Sequence, residues 1–208
     1  MIARLGELER IVANLIKPGK VIAGRYGSPP RVQVQIGLNT TGWIPFLGSR
    51  AGGNRSWAPP EAGEQVLVLS HNGDHAQGYA IPGLYQNSAL APFDSPDIAG
   101  EVFKDGAVIK YDRAAHALTA DLTASGSATI TTGAASLTQT ATAVTLKING
   151  TSLSVKDGSI TLTIGGCTIT FDATGAKVTG GNVTADSIDL KNHIHPDPQG
   201  GSTSAPVG

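Results

Sequence analysis

The stretch Val144–Phe171, VTLKINGTSLSVKDGSITLTIGGCTITF, decides how this chain folds. Apolar residues alternate with Thr, Ser and Lys: Val144, Leu146, Ile148; Leu153, Val155; Ile160, Leu162, Ile164; Cys167, Ile169, Phe171. Alternation of period two puts one side-chain class on each face of a strand. Asn149-Gly150, Asp157-Gly158 and Gly165-Gly166 interrupt the pattern, and Asn-Gly and Asp-Gly are the residues that two-residue hairpin turns require. The pattern predicts short strands joined by tight turns.

The same character extends over 118–192. Thr and Ser form about a third of this stretch, and proline is absent from Asp97 through His195. Leu118, Ala120 and Leu122 open the alternation, and Gly133, Gly175 and Gly180-Gly181 punctuate it. A strand repeat with one narrow apolar face and no helix to cover it does not close a core alone. The expectation is three chains wound about one axis into an intertwined β-prism. Thr suits the outer face, since β-branching favours strands and the hydroxyl stays wet. Cys167, in register with Ile169 and Phe171, reads as a small buried hydrophobe.

Outside this region the chain changes. Residues 1–17 read as a helix striped by Leu5, Leu8, Val12 and Leu15, widened by Ile2, Ile11 and Ile16, and stopped by Lys17-Pro18-Gly19. Its stripe packs either on its own domain or against partner helices. Residues 20–94 hold nearly all the aromatics. KVIAGRY and RVQVQIG flank Gly27-Ser28-Pro29-Pro30 as a hairpin, EQVLVLS (64–70) reads as a buried strand before the turn His71–Asp74, and GYAIPGLY (78–85) as a further strand. About five short strands with Pro- and Gly-rich loops suggest a small closed OB-type barrel, capped or filled by Trp43 and Trp57. GEVFKDGAVIKYDRAAHA (100–117) reads as a connecting hairpin turning at Asp105-Gly106.

Formal net charge is −1, and the loops lack a basic stripe with interleaved aromatics, which argues against nucleic acid. The single Cys167 excludes an internal disulfide or a thiolate zinc site and fits a reducing cytoplasm. Glu7 and Glu9 stand where a secretion signal needs an apolar segment, and no apolar run reaches the length of a membrane span, so the chain reads as soluble.

At the far end lies KNHIHPDPQGG (191–201). In extended chain His193 and His195 face one side and Ile194 the other. One chain offers two imidazoles, fewer than a stable site needs. Three chains on an axis offer six, an octahedral nitrogen shell that favours iron, nickel or cobalt over zinc, with cellular availability favouring iron. Such an ion would be structural, with no open coordination position. The alternative is a disordered tail in which the spacing is chance. His71, His75 and His116 read as turn or surface residues.

Three segments carry a resemblance: WIPFLGSRAGGNRSWAPPEAGEQVLVLS (43–70), FKDGAVIKYD (103–112) and HIHPDPQGG (193–201). In these the chain resembles the baseplate assembly protein V family, the central spikes of contractile-tailed phages and related particles. The resemblance implies an all-β homotrimer: an N-terminal short helix (1–18), an OB-fold hub-docking domain (19–96), a connector (97–117), a triple-stranded β-helix shaft (118–190) and a metal-capped apex (191–208). It implies one iron per trimer on six histidines, His193 and His195 of each chain. Calcium or chloride in the shaft of some members has no ligand motif here. It further implies docking on the tail hub, piercing of the host outer membrane on sheath contraction, assembly in the host cytoplasm and residence at the virion's baseplate tip.

Three other functions compete. Asp105, Asp112 and Asp121 sit at turns or exposed faces, and no nucleophile or phosphate-cradling motif appears, so no enzyme is expected. A receptor-binding tail fibre or adhesin would show exposed aromatics at its tip. A nucleic-acid-binding OB protein needs neither prism nor apex.

Overall fold

The computed structural model describes residues 2–204. The chain divides into two compact units, one ending at Asp94 and the other starting at Ser95.

The first unit begins with helix α1 (Ile2–Asn14) and continues directly into strand β1 (Ile16–Arg25). The expected helix stop at Lys17-Pro18-Gly19 is therefore a strand segment, paired Lys17↔Val68, Pro18↔Leu67 and Gly19↔Val66. Proline is tolerated there because the ladder on the other side of β1, to β2 (Arg31–Ile36), begins only at Lys20. Gly19 has its own reason. A Cβ on it would stand 2.5 Å from Val34 Cγ1 and 2.9 Å from the Gln35 carbonyl oxygen, so β2 crosses where only glycine fits.

The unit's sheet is completed by β3 (Asn39–Thr40), β4 (Gln65–Ser70) and β5 (Gly78–Leu84), in the order β3-β2-β1-β4-β5. All pairs are antiparallel. The hairpin of β1 and β2 stands as expected, but the closed barrel does not. The ladder stays open, and the segment around Ile44 and Phe46 meets β2 and β5 through single bridges, Val32↔Ile44 and Phe46↔Ala80. Alternate residues of β1, β2 and β4 point into one core of Val21, Val32, Val34, Val66 and Val68, completed by Ile44 and Ala80. β4 alternates buried and half-buried residues rather than being buried throughout. Neither tryptophan fills this core. Trp43 lies under the Arg25 guanidinium at 3.9 Å, and Trp57 is 59% exposed against Phe46. The core is instead mostly β-branched, the side chains that pack well on a pleated sheet.

The second unit starts with a three-stranded sheet, β6 (Ile98–Val102), β7 (Val108–Asp112) and β8 (Ala117–Asp121). β6 and β7 turn at Asp105-Gly106, where Asp105 Oδ1 accepts the Ala107 N–H at 3.0 Å and Gly106 takes φ 91°. A seven-stranded antiparallel meander comes next: β9 (Ser127–Thr132), β10 (Ala135–Thr140), β11 (Ala143–Ile148), β12 (Thr151–Lys156), β13 (Ser159–Ile164), β14 (Cys167–Asp172) and β15 (Gly175–Thr179). Strands β9 to β14 are each six residues long, and a two-residue turn separates every neighbouring pair.

Pairing registers align the sequence into rows. Ile130, Leu137, Leu146, Leu153, Leu162, Ile169 and Val178 lie directly opposite one another across the sheet. Val144, Val155, Ile160 and Phe171 form a second row on the same face. The opposite face carries Thr129, Thr138, Thr145, Ser154, Thr161 and Thr170. The apolar face lies open in the single chain: Leu146 is 47% exposed, Ile164 56% and Phe171 53%. Cys167, expected to be buried, is half-buried for the same reason.

Candidate metal centre

Beyond the meander, β16 (Thr184–Ala185) and β17 (Ile188–Asp189) pair as a minimal hairpin. Asp189 ends it and organises the next turn of the chain. Its Oδ1 accepts the backbone N–H of Lys191 at 2.7 Å and of Asn192 at 3.0 Å, and its Oδ2 accepts the Asn192 amide at 2.8 Å. The side chains of Asn182 and Asn192, with these backbone donors, pull its carboxyl down to about 2. A carboxylate that bridges successive backbone donors forms an Asx turn, and this one aims the chain into His193.

His193 is fixed by its own backbone and ring. Its N–H donates to the Asp189 carbonyl at 2.9 Å. Its Nδ1 lies 3.2 Å from the Asp189 carbonyl oxygen and 3.1 Å from that of Leu190. Carbonyls only accept, so Nδ1 carries the proton and Nε2 presents its lone pair. A backbone carbonyl holding the far nitrogen is the usual support of a metal-binding imidazole. His195 is held differently. Its N–H donates to Thr203 Oγ1 at 2.9 Å, and its carbonyl accepts the Thr203 N–H at 2.9 Å. Between them the chain doubles back through a turn at Asp197, whose N–H donates to the Gly201 carbonyl at 2.9 Å. The tail's Pro196-Asp197-Pro198 and Gly200-Gly201 thus serve a return loop, bridged Pro196↔Ser202. The final four residues, 205–208, lie outside the described ones.

The two imidazoles come together edge to face, with centroids 5.1 Å apart at 87°. Two imidazoles bound cis on one ion, at a metal–nitrogen distance of about 2.1 Å, hold their centroids roughly 4.6 Å apart. The observed spacing of the rings is close to that value. Among the described residues no group of three or more His, Cys, Asp or Glu could hold a metal. One chain therefore offers at most two imidazoles here, and a closed shell built on them would need other copies.

His71, His75 and His116 are not drawn to this site. His75 Nδ1 lies 2.6 Å from Ser70 Oγ, His71 is exposed in a 3-10 turn, and His116 occupies a left-handed turn position with φ 53°. Of the carboxylates set aside in the sequence, Asp105 and Asp112 serve turns, Asp112 Oδ1 accepting the N–H groups of Ala114 and Ala115, while Asp121 ends strand β8. Sequence reasoning missed Asp189 and Thr203. Asp followed two and three residues later by Lys-Asn is an Asx-turn signal that would have found the first. Thr203 carries none.

Comparison with known proteins adds two findings. Residues 18–85 match the family described as the type VI secretion system/phage-baseplate injector OB domain. The spike protein of Escherichia phage P2 is 32% identical over 212 residues, covering 99% of each chain.

Proposed function

Since the chain belongs to the phage baseplate spike family, we propose that it works as a trimeric needle: its OB domain docks on the tail hub, its meander forms the shaft, and its tip pierces the host outer membrane when the sheath contracts. It is a structural component of the virion tail, assembled in the host cytoplasm, and the force comes from the sheath. The observation that carries this reading is the uncovered apolar face of the meander. Rows of Leu, Ile and Val this long do not stay in water, and covering each half-exposed side chain contributes roughly 1 kcal/mol. Three such faces turned inward form a dry prism with Thr and Ser outside, and intertwining pairs the edges that β9 and β15 leave open.

The stripe on α1 supports the same assembly. Leu5, Leu8 and Val12 are 57–65% exposed, at spacings that suit a three-helix seam; the side chain of Ile2, expected to widen it, lies outside the described ones. At the other end, His193 and His195 of three chains supply six imidazoles to one iron. The ion closes the three chain ends where a prism would splay. Calcium or chloride elsewhere in the shaft has no ligands to name.

Light scattering and elemental analysis of the purified protein test this together. A mass of three chains with about one iron per trimer is expected. A monomer would overturn the shaft, and a metal-free trimer would overturn the apex. A trimer that assembles onto the distal end of a fibre, instead of the baseplate, would favour a receptor-binding role.

A further inference from the structure

The OB domain carries a groove of about 600 Å³ lined by Tyr26, Pro30, Phe46, Trp57, Arg50 and Arg55. Its apolar wall is shaped. The Phe46 and Trp57 rings meet at 6.1 Å and 53°, and Tyr26 donates its hydroxyl to the Pro60 carbonyl at 3.0 Å, turning its ring toward the groove. Tyr26 is 45% exposed and Trp57 59%, so the wall stands open.

The cationic rim is built with equal care. Arg50 and Arg55 belong to a loop that folds on itself: Ala51 bridges Arg55, Ser56 N–H donates to the Arg50 carbonyl at 3.0 Å, and Ser56 Oγ accepts the Arg50 N–H at 2.9 Å. Among the described residues, neither guanidinium has an ion pair. Residues 11–60 contain six Lys and Arg and no Asp or Glu, so the groove's own segment offers no counter-charge. Aromatic anchors beside unpaired arginines are the composition of an interaction hot spot.

We infer that this groove is the seat of an acidic, aromatic-bearing segment of another tail protein, its ring against Phe46 and Trp57 and its carboxylates on Arg50 and Arg55. The inference rests on the docking role proposed above and specifies where and how docking occurs. Two other occupants fit less well. This chain's own acidic aromatic stretch, Phe93-Asp94-Ser95-Pro96-Asp97, has Asp97 committed to Arg113 at 2.6 Å, which disfavours a second copy. Single-stranded nucleic acid needs cations along a track and rings spaced to stack successive bases. Here two arginines line one groove, and the Phe46 and Trp57 rings are tilted against each other.

The test supplies infecting cells with full-length wild type, R50E/R55E or R50K/R55K and measures spike per purified particle. Wild type is expected to incorporate fully and the lysine variant at a reduced level well above R50E/R55E, because lysine keeps the charge a carboxylate partner needs but loses the bidentate fork. R50E/R55E is expected to fall at least tenfold, while keeping the wild-type mass and thermal unfolding as isolated protein. A photo-cross-linking residue in place of Ala51, on the groove wall, gives a measurement independent of that variant's folding. It is expected to join an Asp- and Glu-rich segment of a different tail protein, mapped by mass spectrometry. Incorporation of R50E/R55E at the wild-type level would sink the inference. So would a cross-link to a second copy or to nucleic acid. If wild type itself is missing from purified particles, the spike role fails instead, and the two failures stay separate.

Discussion

Single side chains in this protein are tuned to particular backbone groups. Thr41, 3% exposed, looks like an ordinary loop residue in the sequence. Yet its Oγ1 accepts the Val34 N–H at 3.0 Å and donates to the Gly42 carbonyl at 2.8 Å, closing the core edge of β2. Thr41→Val keeps the shape and strands that N–H. The expected cost is about 1–3 kcal/mol. It should be read as a roughly tenfold or greater speeding of Val34 amide hydrogen exchange, with neighbours in β4 unchanged. Asp172 offers a pH handle. The Thr174 hydroxyl at 2.6 Å and its N–H at 2.8 Å hold the Asp172 carboxyl below its usual value. The folded value is the lower one, so its contribution is complete above the ordinary carboxylate range, near 3.9. It is lost as pH falls through the folded value. Nuclear magnetic resonance titration should show the 172–175 turn unchanged at pH 5 and loosening well below pH 4; in Asp172→Asn the acid-dependent step should vanish. Neither role is visible in composition, because each depends on which backbone donor happens to face the side chain.

Elements were more legible than residues wherever periodicity was strong. The meander's strands follow the alternation in VTLKINGTSLSVKDGSITLTIGGCTITF, and its turns fall at Asn149-Gly150, Asp157-Gly158 and Gly165-Gly166, with Asn149 at φ 51° and Gly158 at φ 74°. Elsewhere local signals misled. Lys17-Pro18-Gly19 resembles a helix terminator, yet the chain runs through it as a strand because β4 supplies the pairing and β2 arrives only at Lys20. The tryptophans resembled core fillers, but the core is built from the valines of β1, β2 and β4 with Ile44 and Ala80. Leu153 and Leu162 face each other in the longest apolar row. Leu153→Asp with Leu162→Asp should leave the OB domain folded, as judged by the dispersion of its core valine methyl resonances. It should convert a trimer into monomers in light scattering, because charges would be buried unpaired on the inward face.

At the scale of the whole molecule, the proposed trimer assigns shaft and apex different shares in holding three chains together. His193→Ala with His195→Ala should leave the trimer intact and soluble, since the apolar rows supply most of the interface, but remove the bound iron and raise hydrogen exchange beyond Asp189. A monomeric double variant would mean that the ion carries the assembly. The histidine pair was visible in the sequence because extended chain puts alternate residues on one side. The Nδ1 bonds to Asp189 and Leu190 were not, since they depend on a turn that only the folded backbone reveals. One regularity of the meander reaches further. Because each strand from β9 to β14 spans six residues and each turn two, every hairpin is interchangeable with the next. A sixteen-residue segment taken out or duplicated returns the chain to the same face and direction, while changing the height of the stack by about 10 Å, two strand spacings. The meander can thus be lengthened or trimmed in evolution like a ladder gaining or losing rungs, and in the proposed needle this would set the shaft's length.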